Sequence, residues 1–170
     1  MANTKFGYVE HGFGQVEPNH LSAQRNGKIY AQLPMGVDML ENGQFAKYNY
    51  AANEVNFDGD SEWMLVFNAV KIYRDDETDA DYAMIKATAN KGPVIGVSTD
   101  AVPRLFKTDI GDIFTTNAVK EAEGIELGGV LKLDAEGCLS TAGTSDMAWQ
   151  IVKVYTMPDG QRGVKIMRIA

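Results

Sequence analysis

Few residues in this chain are suited to chemistry. His11 and His20 are its two histidines. They stand nine positions apart, whereas two ligands on one helical face would stand three or four apart, and the single cysteine, Cys138, is far from both. A zinc centre is not encoded, and both histidines read as surface or assembly-contact residues. A serine nucleophile needs a histidine to activate it, and no Gly-x-Ser-x-Gly elbow occurs. Asp58, Asp60 and Glu62 are close enough in sequence to suggest the paired carboxylates of glycoside cleavage, but acidic turns have the same composition. Asp75, Asp76, Asp79 and Asp81 form the densest carboxylate cluster and could offer oxygen ligands to a divalent cation. The segment 75–81 lacks the central glycine and terminal glutamate of an EF-hand, and a solvated acidic hairpin loop is the simpler reading. Gly111 could form an anion-binding nest, but it lies in no glycine-rich phosphate loop with a Lys-Ser/Thr pair. The expectation is a protein that is not an enzyme, with no cofactor and no metal.

The elements that would position such residues are strands and turns. In the stretch Arg104 to Asn117, Leu105 and Phe106 lead into the polar corner Lys107 to Asp109, and Ile110 to Phe114 returns the chain to apolar character. That pattern predicts strand, turn, strand, with Gly111 and Asp112 supplying the turn. Leu133 and Leu139 flank the turn Asp134-Ala135-Glu136-Gly137. The plainest hairpin is Trp149 to Met157, Pro158-Asp159-Gly160, then Gly163 to Ile169. Asn42-Gly43 between Met39-Leu40 and Phe45 to Tyr50 carries a further hairpin signal. The run Trp63 to Tyr73 is apolar on both alternating faces, as in a strand covered on two sides. Tyr82 to Thr88 and Val94 to Val97 read as strands. Ala118 to Glu126 is the best helical candidate, cut short by Gly124.

Composition bounds the classes of function. A chain of 170 residues that is 45% hydrophobic and 23% charged can bury a core without disulfides. Its 23 acidic against 16 basic residues give a formal charge of −7. That balance opposes direct nucleic-acid binding, where cationic side chains must replace counterions along the phosphates. A lone cysteine excludes an intrachain disulfide, so Cys138 reads as a small buried hydrophobe beside a turn. No stretch has the form of a signal peptide or the length of a membrane span, so a soluble protein made in the cytosol, without membrane association, is expected.

These readings predict a mainly β protein built of small β-barrel or sandwich units with an extended N-terminal arm. Residues 1–34 are punctuated by glycine and proline, and their apolar residues come singly, which suits an arm that orders against another molecule, the alternative being a frayed tail with Lys28 to Leu33 as the first strand. Residues 35–102 and 103–170 form a first and a second β unit, able to pack as one domain.

Three stretches resemble structural proteins of tailed bacteriophages, in particular the auxiliary proteins that decorate the capsid. They are Pro18 to Pro34, Leu40-Glu41-Asn42-Gly43-Gln44-Phe45, and Arg104-Leu105-Phe106-Lys107 through Gly111 to Asn117. The resemblance implies a β-rich virion protein on the capsid exterior, an arm laid on the major capsid protein, and self-association around capsid symmetry axes, trimers included. Its function would be to stabilise the shell. Phe6, Tyr8, Phe13, Leu21, Arg25 and Tyr30 are nominated as interface anchors, because aromatic residues and arginine supply most binding hot spots. A different class, a receptor- or glycan-binding module on the virion surface using the acidic loop, is the alternative.

Overall fold

The computed structural model describes residues 5–10, 14–68 and 102–170. Its elements follow in chain order as β1 (Val16–His20), α1 (Ser22–Asn26), β2 (Ile29–Tyr30), β3 (Phe45–Asn49), β4 (Glu54–Asn56), β5 (Met64–Val66) and β6 (Leu105–Phe106). After these come β7 (Ile113–Thr116), β8 (Val130–Leu133), β9 (Leu139–Ser140), β10 (Ala148–Thr156) and β11 (Arg162–Arg168). They form two antiparallel sheets, one of six strands in the order β1-β7-β11-β10-β8-β9 and one of five in the order β2-β6-β5-β3-β4. No closed barrel is present among the described residues.

The turns are set by local chemistry. Between β10 and β11, Met157 N–H donates to the Gln161 carbonyl at 2.8 Å, and Gly160 takes the left-handed φ of +87° that closes a three-residue loop. Between β8 and β9, the Asp134 carboxylate accepts from the amides of Glu136 and Cys138, both at 2.9 Å. Gly137, at φ +72°, lets that turn approach β3 so closely that a Cβ would lie 1.8 Å from the Phe45 carbonyl. The Phe45 amide donates to Gly137 at 2.7 Å, tying the turn to the other sheet.

Both sheets contribute to one core. Trp149 of β10 is fully buried, with Phe114 of β7 at 5.0 Å and Phe45 of β3 at 5.6 Å between ring centroids. Leu65, Phe106, Leu131, Leu133, Ile151, Val164 and Ile166 complete it. A second apolar cluster around Tyr48, Val55, Leu105 and Val66 fills the far side of the five-stranded sheet. β5, within the long apolar run, is buried at all three positions, as expected for a strand covered on both faces, and Trp63 and Phe67 on either side of it are half-buried. The strands expected at Tyr82 to Thr88 and Val94 to Val97 lie outside the described residues.

Three expectations are corrected. Ala118 to Glu126 is not a helix: Val119 bridges Leu139, the Lys120 amide donates to the Leu139 carbonyl at 2.9 Å, and Gly124 takes a positive φ. Strand-like pairing there outweighs a weak helical propensity. The Asn42-Gly43 turn forms, but it does not join a hairpin of its flanking segments. β3 pairs instead with β5 and β4, and the hairpin lies one turn later, at residues 50–53.

The third correction concerns the arm. Among the described residues, 5–10 and 14–34 are built into the protein's own sheets and core. β1 is an edge strand on β7, and β2 pairs with β6. Gly7 and Tyr8 amides donate to the carbonyls of Lys120 and Val119. The buried Glu41 carboxylate accepts from the amides of Lys5 and Gly14, both at 3.2 Å. The isolated apolar residues of this segment are plugs, each filling a gap between elements, so no continuous apolar run is needed.

Candidate functional site

The one described cluster that gathers a serine, a lysine and two carboxylates lies where α1 meets the β6–β7 turn. The Ser22 hydroxyl is 2.8 Å from Asp112 Oδ2 and 3.0 Å from Asp109 Oδ2. The Ser22 amide donates to Asp112 Oδ1 at 2.9 Å, the Asp109 amide to Asp112 Oδ2 at 2.9 Å, and Lys28 Nζ to Asp109 at 3.2 Å. Hydrogen bonds from Lys28 and Ser22 hold the Asp109 carboxyl below its ordinary pKa. Ser22 thus gives its single proton to carboxylates, and Asp112 is buried under donors from two segments. What this arrangement does is cap a short helix from a distant turn, since Leu21 at its start offers no side-chain cap. It is a latch, and Gly111, whose amide bonds the Arg168 carbonyl at 2.9 Å, is part of its turn.

The other candidate chemistry disperses. Glu62 is paired with Lys107 at 2.5 Å, and that hydrogen bond raises the lysine's pKa. Asp58 and Asp60 are exposed. His20 is exposed at the end of β1, and His11 lies outside the described residues. Among the described residues no three His, Cys, Asp or Glu side chains converge as a metal site. The cluster Asp75, Asp76, Asp79 and Asp81 lies outside them. Cys138 is buried, and burial pushes its thiol up to about 12, which leaves it protonated and unreactive at neutral pH. No helix among the described residues is long and apolar enough to cross a membrane.

The nominated anchors separate into two groups. Phe6, Tyr8 and Leu21 are buried in the protein itself: Phe6 against Ala118 and Cys138, Tyr8 and Leu21 in the shared core. Burial raises the Tyr8 pKa, partly offset by the Arg162 guanidinium stacked 4.6 Å from its ring centroid. A side chain already covered by its own fold cannot anchor a partner in that conformation. Arg25 is exposed on α1, and Tyr30 is half-buried with its ring edge-on to Tyr48 at 6.1 Å. Phe13 lies outside the described residues.

The exposed apolar surface lies elsewhere. Leu127, Val130, Val152 and Val154, on β10 and about the start of β8, are 69, 43, 37 and 50% exposed, with Val130, opposite Gln150, on the outer face and Val154, opposite Val164, on the core-side face. β8 covers β10 only from Ala148 to Gln150. Gly128 and Gly129 exchange backbone bonds of 2.8 Å with Ile151, and then the chain turns away at Gly128, with φ +82°. Beyond that point Val152 to Thr156 has β11 on one side and no strand on the other among the described residues. The three-residue loop sets the register near the turn, where Lys153 pairs with Lys165 and Tyr155 with Gly163, and a bulge at Val152 shifts it beyond, so that Ile151 pairs with Ile166. Because Met157, Tyr155 and Lys153 bond toward β11, the intervening Val154 and Thr156 turn their backbone groups outward. The Gly128-Gly129 break was visible in the sequence, but not that it would end the cover over β10.

No family model matches this sequence, and neither a curated protein nor a solved structure matches it.

Proposed function

We propose that the chain is a non-enzymatic structural protein of a virion, one that decorates the capsid by binding the major capsid protein and so stabilises the shell. The observation that carries this reading is the open side of β10: exposed apolar side chains at Leu127, Val130, Val152 and Val154 around a strand that, among the described residues, has no neighbour on one side from Val152 to Thr156. Surfaces of that kind suit protein partners, with strand addition supplying register and the apolar side chains supplying desolvation. The resemblance at Pro18 to Pro34, Leu40 to Phe45 and Arg104 to Asn117 points to the decoration class. The finer architecture would be sandwich-like, with two sheets sharing one core, and copies would associate around capsid symmetry axes. The binding surface is then preformed, and the leading residues serve as its internal bracing.

Co-sedimentation with assembled empty shells of the cognate phage tests the reading. Leu127→Ser with Val130→Ser removes apolar surface without changing charge and should abolish shell binding while the thermal melt is retained. Undiminished shell binding by this variant overturns the reading, and binding to host-surface glycans in place of shells would favour the receptor-binding class.

A further inference from the structure

The open flank carries a charge pattern that no contact among the described residues explains. Lys153 on β10 stands directly opposite Lys165 on β11, and the register continues on the same face of the sheet through Thr115 of β7, which is buried, to the half-buried Glu17 of β1. The two ammonium groups lie 5.7 and 5.8 Å from the Tyr155 ring centroid and have no ion pair among the described residues. The chain has 23 acidic residues and a formal charge of −7, and the described ion pairs show other lysines taking up carboxylates: Lys28 with Asp109, Lys107 with Glu62, Lys120 with Asp134. Like charges facing each other across a strand pair destabilise it. A glutamate at either position would have relieved this.

Protection of the edge against unwanted pairing is the structural explanation to beat, since lysines commonly blunt edge strands. It accounts for Lys153. It does not account for Lys165, which sits on β11 with a neighbour on each side. Nor does it require that both residues have the same sign.

We propose that the Lys153, Lys165 and Tyr155 face, with the outward backbone of Val154 and Thr156, is a docking site for an extended acidic segment of the partner. The segment adds as a strand to β10. Its backbone pairs with Val154 and Thr156, and its carboxylates lie over the two lysines, replacing a repulsive pair with charge-assisted hydrogen bonds. A second copy of this chain is a poorer occupant. Antiparallel pairing of β10 with itself about Val154 would bring two Lys153 and two Lys165 side chains onto one face, compounding the repulsion. The assignment deepens the proposed function, resting on its binding flank, and names the chemistry of what binds there.

The test uses the full chain and a fluorescein-labelled peptide of alternating valine and glutamate, with a valine and lysine peptide as control. The glutamate peptide should bind with an affinity that falls as salt is raised, and the lysine peptide should not bind. Lys153→Glu should weaken the glutamate peptide about tenfold or more while raising Tm, because it turns a like-charge pair into an opposite one. That opposed movement separates a docking role from a structural one. Val154→Pro, which keeps both lysines but removes an outward N–H, should also weaken binding. The proposal is overturned by no binding of the glutamate peptide, by equal binding of the lysine peptide, or by unchanged binding in the Lys153→Glu variant. Self-association abolished by Val154→Pro overturns it in favour of a second copy. If shells bind and the peptide does not, this assignment fails and the decoration reading stands. If the peptide binds and shells do not, the reverse holds.

Discussion

The leading segment and the β10–β11 ribbon behave oppositely. Residues 5–10 and 14–34 have little periodicity, yet Phe6, Tyr8, Leu21 and Ala23 are buried and their backbone is stitched to residues more than eighty positions away. The ribbon has the cleanest alternation and turn chemistry in the chain, yet Val152 to Thr156 has no strand on one side among the described residues. Regularity reports how a segment folds locally. Whether it is covered depends on where neighbouring elements stop, and here β8 stops two residues before the bulge of β10.

Deleting residues 2–27 should break the comparison most severely. It removes β1, α1 and the buried Phe6, Tyr8, Leu21 and Ala23, so cooperative unfolding followed by circular dichroism should be lost. An arm that ordered only against other molecules would leave the melt intact. Leu21→Ala should lower stability by about 2–5 kcal/mol, the range for a buried leucine, measured by urea unfolding. Asp112→Ala should cost about 1–3 kcal/mol in the same assay, because it strands the Ser22 and Asp109 amides, while the Ser22 hydroxyl keeps Asp109.

Acid sharpens the contrast less. Burial alone would raise the Asp134 pKa, but Lys120 and the amides of Cys138 and Glu136 together hold it below 3.8, and Asp109 is held low by Lys28 and Ser22. A depressed folded pKa contributes stability that is present above the ordinary value and lost as pH falls through the folded one. The urea midpoint should therefore fall below pH 3.8, with a shallower fall in Asp134→Asn. Val154→Thr should change stability by no more than about 0.5 kcal/mol, as for an exposed strand position.

The fold was legible where one residue type dictates one backbone state. Pro158-Asp159-Gly160 and Asp134 to Gly137 mark turns because proline, aspartate and glycine each satisfy a specific geometric demand, and both turns lie where expected. Leu105 to Phe114 reads correctly as strand, turn, strand for the same reason. What could not be read depends on distant partners. Phe6 is buried because Ala118 and Cys138 leave a gap for it, and Glu41 is buried because the amides of Lys5 and Gly14 converge on it. Neither relation leaves a periodic trace. The bulge at Val152, which pairs Ile151 with Ile166 where an unbroken register would pair it with Met167, leaves none either.

Amide hydrogen exchange on the free, full-length protein tests the central claim most directly. The account expects slow exchange at Gly7, Tyr8 and Gln15, whose amides are bonded inside the fold, and fast exchange at Val154 and Thr156 on the open flank. Rapid exchange throughout the leading segment, with protection at Val154 and Thr156, would contradict it.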